Sequence, residues 1–334
     1  MAYTIKDIAK AAGVSVATVS RALNNSSLIK KETMDKVKAA AEKYNYIPNS
    51  FAKSLVLNKS FNIGLFFTTF DPGLTSNYFY ELSLTVEKMI KEKYHLVIRS
   101  INDYKDFSTI TSKLFAGIII VTQTDKDDLF IKHLMKEEIP TVIINRVLKN
   151  IKIDTFHSDE RDAVRKLINY FVKMGHRKIA IVKGKKGTVS ASERYKGYID
   201  ALKENNISVS KDLIVEGNYS LASGYEAMGK ILNIKGDKPT AVFFSNDDMA
   251  FGGAKLIIEK EMTVPGDFSI AGFDNTKYSE YMSPGLTTIN RPVEVILKDA
   301  TQRLLEKIND STIDSTITKC VESQIIIRSS IAKK

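Results

Sequence analysis

The chain has 334 residues, of which 26% are charged and 43% hydrophobic, and its formal net charge is +10. This length predicts two or three domains, and the lack of an apolar run of about 18 residues excludes a membrane span. The N-terminus enters a helix pattern by its fourth residue, so we expect no signal peptide and a cytoplasmic location. The single cysteine, Cys320, excludes an intrachain disulfide and fits a reducing compartment.

Positive charge is concentrated at the N-terminal end. Residues 1–60 hold ten Lys or Arg against four Asp or Glu, a net charge of +6. A basic segment on a less charged body favours a polyanionic partner such as a nucleic acid. We expect no metal and no cofactor, because the histidines are scattered and no phosphate-loop spacing occurs.

The first predicted elements are two short helices joined by a tight turn. Thr4 followed by Asp7 is a helix-start pattern, and Gly13 ends the first helix. Its apolar face consists of Ile5, Ile8, Ala9 and Ala12, at helical spacing. Ser15 can cap the second helix. That helix is expected to point Val16, Val19 and Leu23 inward.

The outward face of the second helix is small, polar and basic. It consists of Ala17, Ser20, Arg21 and Asn24 and holds no acid. Such a face can lie against a phosphate backbone and reach base edges in a major groove. Arg21 could contact either a base edge or a phosphate. A surface helix that lacks acids by chance has the same pattern, so these residues alone do not decide the function.

A third helix is predicted from about Lys31 to Tyr44, with an apolar stripe through Val37 and Ala41. Pro48 breaks the pattern that follows. Asn49 then starts a short segment that ends at about Leu57. This segment is either a linker without structure of its own or a short helix.

From residue 61 onward, short apolar runs alternate with amphipathic stretches. The predicted strands are Asn62–Phe67, Leu96–Ser100, Gly117–Val121, Thr141–Asn145, Lys178–Lys183, Ala241–Ser245 and Ser269–Phe273. The predicted helices are Tyr78–Lys93, Lys126–Glu138, Asp159–Met174, Ser192–Asn205, Ala222–Leu232, Asp247–Glu259 and Val293–Asn309. This alternation predicts parallel sheets covered on both faces, and its length suits two doubly wound domains better than one.

Polar residues follow several of these strands, where ligands bind in open α/β sheets. Asn145, Asn246 and Asp274 each lie at such a strand end, and Arg194 lies in the stretch after Lys178–Lys183. A guanidinium, carboxylates and an amide can grip the hydroxyl groups of a sugar. The simpler alternatives are that Asn246 only caps a helix and that Asp274 only stabilises a turn.

Several motifs resemble the LacI/GalR family of bacterial transcription regulators. Gly13 to Asn24, GVSVATVSRALN, matches the family's G-V-S-x-x-T-V-S-R-x-L-N. The matches continue through the body at MGHRKIA (174–180), SASERYKGY (190–198), NDDMA (246–250), VP…GFDN (264–275) and PGLTTIN (284–290). The resemblance therefore covers most of the chain.

The resemblance implies a headpiece that binds operator DNA as part of a homodimer. In it, the segment after Asn49 is a hinge helix that is disordered in the free protein and helical on DNA. Leu55 would insert as a wedge between base pairs of the minor groove, and Lys53 stands where the family usually has arginine. The implied DNA contacts are Thr4, Ser15, Val16, Ala17, Thr18, Ser20, Arg21, Asn24, Asn25, Thr33, Asn49, Ala52, Lys53 and Leu55.

The implied fold is an N-terminal all-α helix-turn-helix headpiece, residues 1–48, followed by a hinge, residues 49–60, and an α/β periplasmic-binding-protein-like body, residues 61–334. The body would comprise two doubly wound parallel-sheet lobes. Lobe 1 would hold about 61–159 and 291–319, and lobe 2 about 160–290 and 320–334, with crossings near Asp159, Asn290 and Cys320.

A small sugar-like effector would bind between these lobes. The implied effector contacts are Arg194, Asp274, Asn246, Tyr219, Phe79, Tyr78 and Asn145. The first lobe departs from the family pattern: Thr68–Asn77 is longer and Ile101–Phe115 shorter than usual. The identity of the effector is therefore open.

Three classes of function fit these features: a ligand-controlled DNA-binding repressor, a sugar-binding transport protein, and a cytosolic α/β enzyme. The expected lack of an export signal argues against transport, and the lack of a catalytic motif argues against an enzyme. We therefore expect a non-enzymatic repressor, most consistent with control of carbohydrate use. Some family members use a phosphocarrier protein as co-regulator, so such a partner stays open here.

Overall fold

The computed structural model describes residues 3–23, 26–46, 59–70, 76–148 and 150–334. The chain divides into two compact units, Met1–Phe61 and Asn62–Lys334. The predicted hinge, from Asn49 to Leu57, lies outside the described residues and stays a prediction.

The described residues of the N-terminal unit form three helices, α1 (Ile5–Ala12), α2 (Val16–Leu23) and α3 (Lys31–Lys43). Helix α1 begins as predicted, because the N–H and the hydroxyl of Thr4 both donate to the Asp7 carboxylate, at 2.8 and 2.7 Å. It ends at Gly13, whose φ of +67° lies in the left-handed region that favours glycine.

The core of this unit is small. Its buried side chains are Ile8, Ala9, Val19, Ala22, Val37 and Ala41. The prediction that Val16 points inward is wrong, since Val16 is 40% exposed. The buried stripe of this short helix runs through Val19 and Ala22, three residues apart, and Val16 in the first turn lies at its margin.

The described residues of the second unit form two parallel sheets and one antiparallel pair. The larger sheet consists of β1 (Asn62–Phe67), β2 (His95–Ser100), β3 (Gly117–Val121), β4 (Thr141–Ile144), β5 (Asp154–Ser158) and β11 (Thr318–Val321), in the spatial order β11-β5-β4-β3-β1-β2. The smaller sheet consists of β6 (Ile179–Val182), β7 (Ile214–Val215), β8 (Ala241–Phe244) and β9 (Ser269–Ala271), in the order β7-β6-β8-β9. The pair is β10 (Thr288–Asn290) with β12 (Gln324–Ile326).

Helices cover both faces of each sheet, which confirms the doubly wound architecture. They are α4 (Ser76–Ile90), α5 (Asp128–Lys136), α6 (Glu160–Lys173), α7 (Val189–Glu204), α8 (Leu221–Leu232), α9 (Asp247–Glu259), the short α10 (Tyr278–Tyr281) and α11 (Val293–Asn309). On the larger sheet, α4 and α11 share a core on one face and α5 packs on the other. On the smaller sheet, α6 and α7 pack on one face and α8 and α9 on the other. We call these two layered bodies lobe 1 and lobe 2.

All seven predicted strands occur, and β1 and β3 have the predicted bounds. Sequence patterns missed β5, β7, β10, β11 and β12. Strand β7 has two residues, and β5 (DTFHS) and β11 (TKCV) have little apolar character. Such strands form because neighbouring strands supply their hydrogen-bond partners. These neighbours are distant in sequence, so the local sequence pattern does not predict the strands.

In the described part of the second unit, the chain passes between the lobes at three places. Strand β5 ends at Ser158 and α6 begins at Glu160; β10 ends at Asn290 and α11 begins at Val293; β11 ends at Val321 and β12 begins at Gln324. The Ser323 N–H donates to the Asp159 carboxylate at 2.8 Å, which joins the first crossing to the third. Among the described helices, none has the length and apolarity needed to cross a membrane.

Candidate functional site

The outward face of α2 is exposed and carries no acid. Ala17 and Arg21 are exposed, and Ser20 is half-buried. Among the described residues, the Arg21 guanidinium has no carboxylate within ion-pair distance. Ser15 caps the helix as predicted, because its hydroxyl accepts the Thr18 N–H at 3.1 Å. The Ser15 and Thr18 hydroxyls also lie 2.9 Å apart.

The remaining predicted DNA contacts divide into two groups. Thr4 and Val16 are exposed and Thr33 is half-buried. The hydrogen bonds from the Thr4 backbone and side chain hold the pKa of Asp7 below its usual value. The second group lies outside the described residues and comprises Asn24, Asn25, Asn49, Ala52, Lys53 and Leu55.

A cavity of about 400 Å³ lies between the two lobes, at the carboxyl ends of their strands. Lobe 1 contributes residues that follow β1, β3 and β4, including Thr68, Gln123 and Asn145. Lobe 2 contributes Thr188 and Asp274. This is where parallel sheets present ligand-binding groups, because the loops after each strand converge at one edge.

Four charged side chains form a cluster beside the cavity, and three of them, Arg194, Asp274 and Arg291, line it. Arg194 Nε lies 2.9 Å from a Glu160 oxygen, and Arg291 Nη2 lies 2.9 Å from the other oxygen of the same carboxylate. The Asp274 carboxylate lies 3.8 Å from Arg194 and 3.6 Å from Arg291. Glu160 and Arg291 are located at two of the three interlobe crossings. The cluster therefore joins the lobes at two of the segments that connect them.

The environment separates the two carboxylates of this cluster. Burial tends to raise the pKa of Glu160, but the charges of Arg194 and Arg291 and hydrogen bonds from Arg194 and Ser190 lower it to about 2. Burial raises the pKa of Asp274, with the two guanidiniums opposing and Glu160 adding to the rise. Glu160 therefore stays ionised between the two arginines. The ionised form of Asp274 is less well stabilised by the same arginines.

Aromatic rings orient the two guanidiniums. Arg194 stacks 3.7 Å from the centroid of the Phe273 ring, and Arg291 lies 4.9 Å from the centroid of the Tyr78 ring. The Asn145 amide donates to the Tyr78 hydroxyl at 2.8 Å. Arg291 Nε is buried and finds no hydrogen-bond acceptor among the described residues. Arg291 lines the cavity, so a ligand oxygen could accept a hydrogen bond from this unused donor.

Three of the predicted effector contacts have strained backbones. Asn145, Tyr219 and Asp274 have φ angles of +76°, +74° and +108°. Non-glycine residues in this region cost of order 1–3 kcal/mol each and cluster at functional sites. The Tyr219 ring also requires a glycine at position 184, because a Cβ there would lie 2.1 Å from the ring.

Asn246 caps a helix, as the simpler alternative held. Its side-chain oxygen accepts the Met249 N–H at 3.0 Å, and its amide donates to the Tyr219 carbonyl at 2.9 Å. It lines the cavity but is 1% exposed. Its main structural effect is to connect α9 to the strained Tyr219 backbone.

The structure does not bring Phe79 into the cavity. Its ring centroid lies 5.4 Å from Phe67 and 6.0 Å from Phe70, and Phe79 is not among the described residues that line the cavity. Neighbouring helix residues point about 100° apart, so Tyr78 faces the ligand space and Phe79 faces these rings.

Sequence patterns missed Glu160 and Arg291, although both belong to the charged cluster. Glu160 follows β5, a strand that was not predicted. Arg291 follows the PGLTTIN motif by one residue. Three lysines that line the cavity, Lys126, Lys185 and Lys186, were also missed. The signal that could have found Glu160 is its position two residues after the end of β5, where parallel sheets present ligand-binding groups.

One further contact closes the cavity between the lobes. The first two N–H groups of α7 donate to Gln123: Val189 to its backbone carbonyl at 2.9 Å and Ser190 to its side-chain oxygen at 3.0 Å. Lobe 1 thereby satisfies the helix end of lobe 2. Among the described residues, no group of three or more His, Cys, Asp or Glu side chains is arranged to hold a metal ion.

The described residues combine a helix-turn-helix unit that has an acid-free outer face with a two-lobed α/β body that holds a charged cavity. This combination is typical of a DNA-binding protein that a ligand regulates. Residues 4–49 match the family model "Bacterial regulatory proteins, lacI family", and residues 168–331 match "Periplasmic binding protein-like domain". The chain is 40% identical to the probable HTH-type transcriptional repressor ExuR of Bacillus subtilis, over 99% of this chain and 98% of the relative. The chain belongs to the LacI family of bacterial regulatory proteins.

Further relatives and solved structures agree with this assignment. The HTH-type transcriptional repressor PurR of Mannheimia succiniciproducens is 32% identical over 99% of both chains. The Lac repressor dimer bound to operator and the anti-inducer ONPF has a TM-score of 0.84 and 26% identity, and covers 99% of this chain and 100% of that chain. The CelR–cellobiose complex, at 22% identity and a TM-score of 0.74 over 98% of this chain and 99% of that chain, supports the fold.

Proposed function

We propose that this protein is a transcriptional repressor whose binding to operator DNA is controlled by a small sugar-like effector in the interlobe cavity. The observation that carries this function is the charged cluster of Glu160, Arg194, Asp274 and Arg291 at the interlobe crossings. A ligand bound there contacts both lobes, so it favours one lobe arrangement over another. The relatives named repressors, and the Lac repressor solved on its operator, support the same function.

On the DNA side, α2 is the proposed recognition helix. Arg21 is exposed and carries no ion pair among the described residues, so its guanidinium is available to a base edge or a phosphate. Ser15, Ala17, Thr18 and Ser20 would pack against the groove, with Thr4, Val16 and Thr33 beside it. The predicted hinge contacts, with Leu55 as the wedge, complete this proposal.

On the effector side, Arg194 and Asp274 are the proposed anchors for ligand hydroxyls. Arg291 joins them, because its buried Nε lacks an acceptor. Tyr78, Asn145 and Tyr219 would form the walls. Asn246 would act mainly by positioning Tyr219, and Phe79 would act only through the packing of Phe67.

We further propose that the protein acts in the cytoplasm as a homodimer joined through the body lobes. Two copies would read the two halves of a two-fold-symmetric operator. Body helices carry exposed apolar side chains that a partner could cover, among them Tyr80 and Ile258, 56% and 59% exposed. A phosphocarrier co-regulator remains an open part of this proposal. Light scattering at micromolar concentration should give the mass of a dimer, and a monomer would contradict it.

A gel-shift titration tests the function. Labelled DNA from upstream of the encoding gene is titrated with full-length protein, alone and with a panel of sugars and sugar derivatives, while turnover of the same compounds is followed. We expect sequence-specific binding that one class of compound changes, without turnover. Absence of specific DNA binding would contradict the repressor, and chemical turnover would favour the α/β enzyme. Ligand binding without DNA binding would favour the transport-type alternative.

A further inference from the structure

We propose that Asp247, a buried side chain that does not line the cavity, is the positioning residue for the effector anchor Asp274. This inference rests on the proposed function, because it assigns a further role at the same effector site. It follows from the hydrogen bonds by which Asp247 holds residues 272–277, the loop between β9 and α10. We call this segment the anchor loop.

The anchor loop has a backbone shape that its own residues disfavour. Asp274 and Asn275 follow each other with φ angles of +108° and +53°. Residues other than glycine keep such angles only where the surrounding structure holds them in place. The Asp274 N–H donates to the Ile289 carbonyl at 2.9 Å, which fixes the middle of the loop. The end of the loop needs a separate contact.

Three donors converge on the Asp247 carboxylate and supply that contact. Oδ2 accepts the Thr276 N–H at 2.8 Å and the Ser279 hydroxyl at 2.6 Å, and Oδ1 accepts the Thr288 hydroxyl at 2.5 Å. These donors belong to the anchor loop, to α10 and to β10. One buried carboxylate therefore ties the end of the loop to the helix that follows it and to the strand beside it.

The start of the anchor loop is also fitted to Asp247. The Asp247 N–H donates to the Phe273 carbonyl at 2.9 Å, and Arg194 stacks on the Phe273 ring. Position 272 must be glycine for this approach, because a Cβ on Gly272 would lie 2.2 Å from Asp247 Oδ1. The second residue of the NDDMA motif and the glycine of the GFDN motif thus meet in the structure.

An aspartate at the start of a helix often does no more than cap it. Here Asn246 is the cap, because its side chain accepts the Met249 N–H at 3.0 Å. Among the described residues, the donors to the Asp247 side chain all lie outside α9. Asp248 offers a comparison: burial and the charge of Asp274 raise its pKa, but no described residue forms a hydrogen bond with its side chain. Asp248 is therefore a control that lies near the anchor without holding the loop.

Hydrogen–deuterium exchange of the ligand-free, full-length protein tests the positioning directly. Asp247→Ala removes all three acceptor contacts and should speed amide exchange in the anchor loop by about tenfold or more. Peptides that cover Gln123 and Asn145 in lobe 1 should exchange as in the parent. Asp248→Ala should leave both regions unchanged. Parent-like exchange of the anchor loop in Asp247→Ala, or equal acceleration in lobe 1, would overturn the inference.

Asp247→Asn is the conservative variant that should rescue the loop. Its amide oxygen can still accept the Thr276 N–H, and its amide nitrogen can donate to the Thr288 hydroxyl, which turns to accept. We expect exchange of the anchor loop within about twofold of the parent. If Asp247→Asn behaved like Asp247→Ala, the charge of Asp247 and not its hydrogen bonds would matter, and the positioning role would be wrong.

Calorimetry on the same proteins measures the consequence for ligand binding. The probe is whichever of glucose, galactose, glucuronate, galacturonate and glucose 6-phosphate binds the parent most tightly. Asp247→Ala should weaken its binding about tenfold, and Asp247→Asn and Asp248→Ala less than about threefold. Thr288→Val removes one donor, keeps the shape of the side chain and should give an intermediate loss, which also decides the matter if Asp247→Ala does not fold. Parent-like affinity in both Asp247→Ala and Thr288→Val would overturn the inference.

Operator binding, measured in parallel, separates this inference from the proposed function. Weaker probe binding and faster loop exchange in a protein without specific DNA binding would support the positioning residue and contradict the repressor. Specific operator binding that responds to the probe equally in the parent and in Asp247→Ala would overturn the positioning role and leave the repressor intact. Absence of binding by all five compounds would contradict the sugar-like effector, and the exchange measurements would still decide whether Asp247 holds the anchor loop.

Discussion

Arg21 and Arg194 are proposed to bind DNA and effector, respectively, and their environments are opposite. Arg21 lies exposed on a short helix over a small core, with no ion pair among the described residues. Arg194 is 1% exposed, hydrogen-bonded to Glu160 and stacked on Phe273. A surface that recognises DNA can leave its charges to be matched by phosphates. A cavity must keep its charges satisfied when it is empty. The first arginine should therefore matter for binding alone, and the second for binding and folding together.

The largest effect should come from Arg194→Ala. This change leaves Glu160 buried with one partner fewer, and removing one member of a buried ion pair typically costs about 3–5 kcal/mol. The free energy of unfolding, measured by urea denaturation, should fall by that amount. The control Arg161→Ala removes a half-exposed arginine paired with Asp200 and should cost under about 1 kcal/mol. If Arg194→Ala lowered the free energy of unfolding as little as Arg161→Ala does, Arg194 would not contribute to folding, and the proposed difference from Arg21 would be wrong.

The second prediction concerns how stability depends on pH through Asp247, a buried carboxyl group of the body. Burial, with the charge of Asp274, raises its pKa to about 7, against hydrogen bonds from Ser279, Thr288 and the Thr276 N–H. The folded state therefore binds more protons than the unfolded state between about pH 4 and 7. Stability should fall as pH rises, and Asp247 alone should contribute about 2–3 kcal/mol of this fall from pH 5 to 7.5, at 1.36 kcal/mol per pKa unit.

Urea denaturation at the two pH values measures this fall in the parent and in Asp247→Asn, which cannot titrate. Asp248, whose pKa burial raises to about 6, contributes in the same direction, so Asp248→Asn is the matched comparison. The Asp247 variant should lose most of the pH dependence and the Asp248 variant less. An unchanged slope in Asp247→Asn would contradict the assignment.

The third prediction isolates Arg21. Arg21→Ala should weaken operator binding by about 1–3 kcal/mol, because a side chain that reaches a base edge contributes about that discrimination. Its stability should stay within about 0.5 kcal/mol of the parent, since the side chain is exposed. Anisotropy titrations on operator and unrelated DNA distinguish the two contacts. Loss on operator alone indicates a base edge, and loss on both with a smaller salt slope indicates a phosphate. Unchanged affinity for every sequence refutes both.

The fourth prediction separates sensing from DNA binding. Asp274→Asn keeps the shape of a side chain that lines the cavity but removes its carboxylate charge. We expect operator affinity to stay near that of the parent and the response to effector to disappear, a coupling of about 1–3 kcal/mol. Gel-shift titrations with and without effector measure it. A variant that still responds normally would exclude Asp274 as an anchor.

The smallest effect should come from the interlobe contact at Gln123. Gln123→Ala removes the acceptor of the Ser190 N–H but keeps the backbone acceptor of Val189. One hydrogen bond contributes about 0.5–1.5 kcal/mol. If the effector binds to the closed arrangement of the lobes, the free energy of effector binding should weaken by that amount. Calorimetry measures this change. Gln302→Ala, on the exposed face of α11, is the control. Equal affinities would mean that this contact does not contribute to closure.

Local sequence signals determined much of this protein. The Thr4–Asp7 pattern and Gly13 predicted where α1 begins and ends, and the alternation of apolar runs with amphipathic stretches predicted two doubly wound lobes. Strand ends and motifs brought forward Arg194, Asp274 and Asn145, and the family resemblance brought forward Tyr219; all four line the cavity. These features could be predicted because helix caps, glycine turns and strand periodicity act over a few residues.

Tertiary structure decided the rest. Glu160 and Arg291 are 131 residues apart, yet share one ion pair because two interlobe crossings return to the same place. Lys126 and Lys185 line one cavity because loops from two different sheets meet there. Phe79 faces Phe67 because the rotation of α4 is set by the sheet it covers, and Val16 is exposed because the headpiece core is too small to cover the whole helix. Each of these outcomes depends on contacts between distant segments, and no local pattern encodes them.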